Sequence, residues 1–99
     1  MATATIDLQD GFQEDTVVIR VNQHVVAQRE QVTTDYSIGF AARVEVPIST
    51  DPAALEVSLP GKQLSEQIVL QRATDIHVGV SVLGGVIRYR LSEVPFEYY

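Results

Sequence analysis

The chain has no cysteine, no tryptophan and few basic residues. The absence of cysteine excludes disulfide bonds, thiolate catalysis and zinc sites built on sulfur, and it is common in proteins of a reducing cytoplasm. The N-terminal segment shows neither the basic region nor the apolar core of a secretory signal, so we predict a cytoplasmic location. No apolar run approaches the roughly 20 residues that a membrane-spanning helix needs.

The charge balance narrows the classes of partner. Seven lysines and arginines stand against thirteen aspartates and glutamates, which gives a formal net charge of −6. An acidic surface repels phosphate backbones and anionic lipid headgroups, so we expect no nucleic-acid partner and no membrane partner. A chain of 99 residues with 45% hydrophobic content predicts a single domain over residues 1–99, which needs no cofactor to fold.

The strongest local signal is the segment 76–91, which predicts a β-hairpin closed at Gly84-Gly85. Both glycines tolerate the positive φ of a two-residue turn, and closure there pairs Leu83 with Val86. Because side chains alternate along a strand, this register defines two faces. The apolar face comprises Ile76, Val78, Val80, Val82, Ile87, Tyr89 and Leu91. The other face carries His77, Gly79, Ser81, Arg88, Arg90 and Ser92.

Further short segments alternate in the same way and are separated by turn residues. We predict an Asn22-Gln23 hairpin turn, an exposed loop at 30–35, and a sheet edge or bulge at Pro47. Short strands at spacings of about ten residues are typical of a sandwich or small barrel. The fold class is therefore all-β, an antiparallel Greek-key-like β-sandwich with about seven to nine strands. The other predicted strands are Ala4–Leu8, Thr16–Val21, His24–Gln28, Tyr36–Phe40, Val44–Ile48, Leu55–Leu59 and Gln67–Gln71.

This pattern is similar to the small Greek-key sandwiches of immunoglobulin and transthyretin type. The Cys…Trp…Cys core of true immunoglobulin domains is missing, since the chain has neither residue type. The resemblance therefore implies an architecture and no activity.

An acidic segment, Asp7–Asp15, contains four carboxylates around a glycine turn. Such hard oxygen ligands suit calcium, but their spacing fits no EF-hand loop, and the favoured explanation is a solvated turn between the first two strands. With the exposed tyrosines, this segment supports the alternative function, a calcium- or carbohydrate-binding module. The candidate calcium ligands are Asp7, Asp10, Glu14 and Asp15.

The polar face of the 76–91 hairpin concentrates the only local positive charge. His77, Arg88 and Arg90 lie beside small residues there and form a candidate site for an anion or a partner. More often, arginines in such positions cover a glycine and pair with acids on the neighbouring strand. No serine lies in a Gly-x-Ser-x-Gly motif and the two histidines are isolated, so we expect no enzyme.

The C-terminal segment is the last candidate surface. Pro95 should end the final strand at or before Val94, since it cannot donate a ladder hydrogen bond. We predict that Phe96 packs on the edge of the core and that Tyr98 and Tyr99 form a two-fold dimer interface, a frayed tail being the alternative. The leading function is a non-enzymatic binding or interaction module for a protein partner or small ligand, with self-association as a homodimer.

Overall fold

The computed structural model describes residues 2–71 and 74–96, and β-strands dominate them. A single turn of 3-10 helix, Pro60–Lys62, joins the fifth strand to the sixth. This secondary structure of the described residues confirms the predicted all-β class. The eight strands of the described residues are β1 (Ala2–Leu8), β2 (Asp15–Val21), β3 (His24–Val32), β4 (Ala42–Ile48), β5 (Ala53–Leu59), β6 (Leu64–Leu70), β7 (Ile76–Leu83) and β8 (Val86–Ser92).

Two four-stranded sheets form the layers of the sandwich. The first sheet has the order β4-β1-β7-β8 and the second the order β3-β2-β5-β6. Strands β1 and β7 pair in parallel, whereas the other neighbouring pairs are antiparallel. The expectation of a wholly antiparallel sandwich is therefore wrong for this pair. No hairpin joins β1 to β7, so turn geometry does not impose an antiparallel direction on them.

The core lies between the sheets and takes alternate residues mainly from β1, β2, β4, β5, β6 and β7, with Val32 of β3 and Ile87 of β8. Leu55, Val57 and Leu59 of β5 are at most 1% exposed. In β6, Ile68 and Leu70 are buried while Val69 between them is 50% exposed, as the alternation predicts. The second sheet thus presents one apolar face to the first.

The final hairpin has the predicted register. Leu83 pairs with Val86, and the ladder continues without a shift to His77 and Ser92. Gly84 and Gly85 have φ values of 63° and 77°. The Asn22-Gln23 turn between β2 and β3 is also confirmed, with φ values of 51° and 70°.

Two of the predicted boundaries are wrong. The segment 36–40 forms turns rather than a strand, because the carbonyl of Asp35 accepts the N–H groups of Ile38 and Gly39 and closes the chain on itself. Tyr36 is consequently 71% exposed. The polar stretch 30–35 is only partly a loop, since β3 extends to Val32 by pairing with β2.

Candidate functional site

The outer face of the first sheet carries an open groove beside the β7–β8 hairpin. Arg88 lies opposite Ser81 and Arg90 opposite Gly79, so both guanidinium groups rise from the face that points away from the core. The groove has a volume of about 310 Å³. We call it the outer groove; it is lined by Gln9, Asp10, Gly79, Ser81, Leu83, Arg88, Tyr89 and Arg90.

The two arginines of the outer groove have no carboxylate partner among the described residues. Arg88 is exposed, and the guanidinium carbon of Arg90 lies 4.7 Å from the ring centroid of Phe96. This cation–π contact orients Arg90 without neutralising it. Other basic residues of the described chain do form ion pairs, namely Arg20 with Glu56, Arg43 with Asp7 and Lys62 with Asp15.

Gln9, rather than an arginine, covers the glycine of this face. A Cβ atom on Gly79 would lie 2.9 Å from both Oε1 and Nε2 of the Gln9 side chain. The glycine therefore lets the Gln9 amide lie against the backbone of β7, as part of the groove lining. Gln9, and not Arg90, therefore occupies the space above Gly79.

His77 shares the outer face but is not part of the groove lining. It lies opposite Ser92, whose hydroxyl donates to the carbonyl of Val94 and accepts from the N–H of the same residue. Of the candidate triad predicted from the sequence, the structure thus brings Arg88 and Arg90 into one groove and leaves His77 outside it.

Strand β8 is an edge of the first sheet, and no other strand of the described residues pairs with its free edge. In a two-residue hairpin the flanking residues form a hydrogen-bonded pair, so the even-numbered residues of β8 direct their backbone groups to β7. Ile87, Tyr89 and Leu91 therefore direct their N–H and C=O groups away from the sheet. We call this row of backbone groups the β8 edge.

Apolar side chains accompany the β8 edge. Tyr89 and Leu91 lie on the inner face that the register predicts, yet they are 43% and 44% exposed, because no strand of the described residues lies beyond β8. Two further open grooves lie along β8, and both include inner-face residues of that strand. One, of about 390 Å³, is lined by Glu66, Val86, Ile87, Arg88 and Tyr89; the other, of about 270 Å³, is lined by Val69, Leu70, Gln71, Thr74, Ile76, Leu91 and Glu93.

The four carboxylates of the acidic segment are not gathered around one point. Asp7 belongs to β1, is 1% exposed, and accepts from Nε of Arg43 at 2.8 Å. Asp15 is 7% exposed and accepts from Nζ of Lys62 at 3.0 Å, whereas Asp10 and Glu14 are exposed. Within residues 2–71 and 74–96 there is no group of three or more His, Cys, Asp or Glu arranged to hold a metal ion.

The C-terminal segment follows its prediction in part. β8 ends at Ser92, ahead of Val94 and Pro95 as expected. Phe96 is half-buried against Arg90 on the outer face, rather than packed at the edge of the core, because the chain turns back after Ser92 through the contacts to Val94. Tyr98 and Tyr99 lie outside the described residues, so the tail-mediated dimer stays a prediction.

Comparisons with protein-family models, with curated proteins and with solved structures found no match. Over the part of the chain that the structure describes, no helix has the length and apolar character needed to cross a membrane. The function of this protein is therefore inferred from the geometry of the β8 edge and the outer groove.

Proposed function

We propose that this protein is a non-enzymatic interaction module that binds an extended segment of a partner protein as an added strand beside β8. The observation that carries this proposal is an edge strand with an unbroken register whose side chains remain partly uncovered, Val86 being 45%, Tyr89 43% and Leu91 44% exposed. In strand addition, backbone hydrogen bonds supply affinity and alternate side chains supply specificity. The β8 edge offers both.

The other three edge strands of the described sheets, β3, β4 and β6, have features that disfavour strand addition. Pro47 interrupts the donor pattern of β4, and β3 is irregular, with register shifts against β2. In β6, Glu66 lies opposite the buried Val57 and so projects a charge toward the inner side of that edge. Among these edges, β8 alone combines an unbroken register with three exposed large apolar side chains, whereas β6 has one, Val69.

Self-pairing of β8 about its central residues brings like charges together. An antiparallel two-fold pairing centred on Tyr89 places Arg88 opposite Arg90 of the second copy. Pairings centred on Arg88 or Arg90 place that residue opposite itself. Like charges directly opposite one another destabilise a sheet, so these registers favour a different partner.

The groove geometry supports the non-enzymatic part of the proposal. Ser81 lies in the outer groove, but His77 lies four residues away on β7, about 13 Å at the rise of a strand. Ser92 is closer to His77, yet its hydroxyl proton is directed to Val94. Neither serine is positioned with an imidazole base in an enclosed pocket, as nucleophilic catalysis requires.

The test is selection of a phage-displayed library of random dodecapeptides on the purified protein, followed by amide hydrogen exchange of the protein with each selected peptide. We expect the exchange of Ile87, Tyr89 and Leu91 to be fast in the free protein and to slow on binding, because their N–H groups then gain partners. Selected peptides that leave these three amides unprotected would overturn the proposal.

A matched pair of variants tests the backbone directly. Tyr89→Ala removes the side chain and keeps the outward N–H, whereas Tyr89→Pro removes both. Because this N–H points away from β7, the proline should leave the β7–β8 ladder intact. We expect peptides to bind Tyr89→Pro about tenfold or more weakly than Tyr89→Ala. Equal binding to the two variants would contradict strand addition.

A further inference from the structure

We propose that the segment accepted by the β8 edge is acidic on one face, with carboxylates opposite Arg88 and Arg90 and apolar side chains on the other face. This inference rests on the proposed function and specifies its ligand. It follows from the alternation of the ladder, the charge state of the two arginines and the lining of the two grooves along β8.

The ladder places the arginines where cross-strand pairing is closest. Because Ile87, Tyr89 and Leu91 offer their backbone groups to the incoming strand, Arg88 and Arg90 occupy the non-hydrogen-bonded positions of the new pair. Cα atoms at such positions are about 4.5 Å apart, closer than at hydrogen-bonded positions. A Glu or Asp opposite each arginine would therefore lie within reach of a charge-assisted hydrogen bond.

The arginines are also ready to accept carboxylates. No carboxylate of the described residues pairs with them, and their neighbours on β7, Ser81 and Gly79, are too small to cover them. Asp10 lines the outer groove as well, but it follows β1, three strand spacings or about 14 Å from the added strand. At physiological ionic strength this exceeds the screening length of about 8 Å.

The inner side selects against carboxylates. One groove there is lined by Tyr89 and Glu66, and the other by Leu91, Val69 and Glu93. Arg88 also lines the first groove, but it projects from the outer face, opposite Ser81. Acidic side chains of a ligand would meet like charge on this side, whereas apolar ones would cover exposed Tyr89 and Leu91. The preferred ligand therefore alternates acidic and apolar residues with a period of two.

The test uses three heptapeptides blocked at both ends, in which Val alternates with Glu, with Lys or with Thr. We expect the Glu peptide to bind the full-length protein about tenfold more tightly than the Thr peptide, and the Lys peptide to bind least. Rising salt should weaken the Glu peptide selectively. Amide exchange of Ile87, Tyr89 and Leu91 reports whether each peptide occupies the β8 edge.

Charge reversal provides the matched control. Arg88→Glu with Arg90→Glu should invert the order, so that the Lys peptide binds best. Arg29→Glu changes an exposed arginine on the β3 edge and should leave the order unchanged. Far-UV circular dichroism verifies that each variant is folded. The comparison of the three peptides on the unaltered protein does not depend on whether the variants fold.

The outcomes separate the two proposals. Equal binding of the three peptides at the β8 edge would overturn the acidic preference and leave strand addition standing. Failure of every peptide to slow exchange at Ile87, Tyr89 and Leu91 would overturn both. If inorganic phosphate alone binds Arg88 and Arg90 as tightly as the Glu peptide does, the arginines form a small-anion site and the inference is wrong.

Discussion

Gly11 lies against the backbone of Val82, so closely that a Cβ atom on Gly11 would overlap the carbonyl oxygen of Val82. The N–H of Val82 donates to the carbonyl of the preceding residue, Asp10, at 2.8 Å. Gly11 also has a φ of 88°, which side chains rarely adopt. The β1–β2 connection is thus anchored to the C-terminal end of strand β7 through a position that only glycine fits.

Gly11→Ala should therefore destabilise the protein strongly. Strain at positive φ and overlap with a backbone atom together predict a loss of about 3 kcal/mol or more in the free energy of unfolding, measured by urea denaturation. Gly61→Ala is the control, because nothing lies within 4 Å of its added Cβ. That variant should change stability by less than about 1 kcal/mol. Similar losses for the two variants would refute the close approach.

A second anchor in this region is the buried hydroxyl of Thr34. Its Oγ1 accepts from the N–H of Phe12 at 3.1 Å and donates to the carbonyl of Gln9 at 2.6 Å. Thr34→Val keeps the shape but leaves both backbone groups without this partner. We expect a loss of about 2 kcal/mol or more in urea denaturation.

The neighbouring Thr33 is the matched control for that measurement. Its hydroxyl accepts from the N–H of Glu14 in an exposed contact, so water replaces the bond in Thr33→Val. This variant should lose less than about 1 kcal/mol. A Thr34 variant as stable as the Thr33 variant would show that the buried hydroxyl is dispensable.

Local patterns predict the features that are decided locally. Gly84-Gly85 determines the register of the last hairpin, and the register in turn places Arg88 and Arg90 on one face. The segment 36–40 shows the limit, because its apolar alternation is outweighed by turns around Asp35. Alternation over so few residues does not distinguish a strand from a turn.

Local sequence patterns do not predict features that depend on the order of the strands in a sheet. The contact of Gln9 with Gly79 requires β1 beside β7 in parallel, a pairing with no local signal in either strand. The exposure of Tyr89 and Leu91 likewise depends on β8 being an edge. For that reason Arg88 and Arg90 were predictable as candidate site residues, whereas Gln9 and the β8 edge were not.

The pKa of Asp35 is lowered below its ordinary value of 3.8 by a hydrogen bond from the Ser37 hydroxyl and, secondarily, by one from the Ser37 N–H. Because the pKa of Asp35 is lower in the folded state, its ionised carboxylate stabilises the fold at pH values above the unfolded-state pKa. This stabilisation is lost as the pH falls through the folded-state pKa. Ser37→Ala should raise the pKa of Asp35, as followed by carboxyl carbon NMR titration. Ser49→Ala should leave it unchanged, and an unchanged pKa in both variants would contradict the assigned hydrogen bond.

The Asn22-Gln23 turn offers a stabilising substitution. Gln23 has a φ of 70°, and a side chain in that left-handed region costs about 1 kcal/mol relative to glycine. Its side chain is exposed, so Gln23→Gly loses little packing. Glycine also loses more conformational freedom on folding, which offsets part of the gain. We expect a net stabilisation of up to about 0.5 kcal/mol in urea denaturation.

The control is Gln28→Gly, within β3. This variant should destabilise the protein by about 0.5–1 kcal/mol, because glycine weakens a strand interior. If both variants destabilise alike, strain at Gln23 contributes nothing measurable.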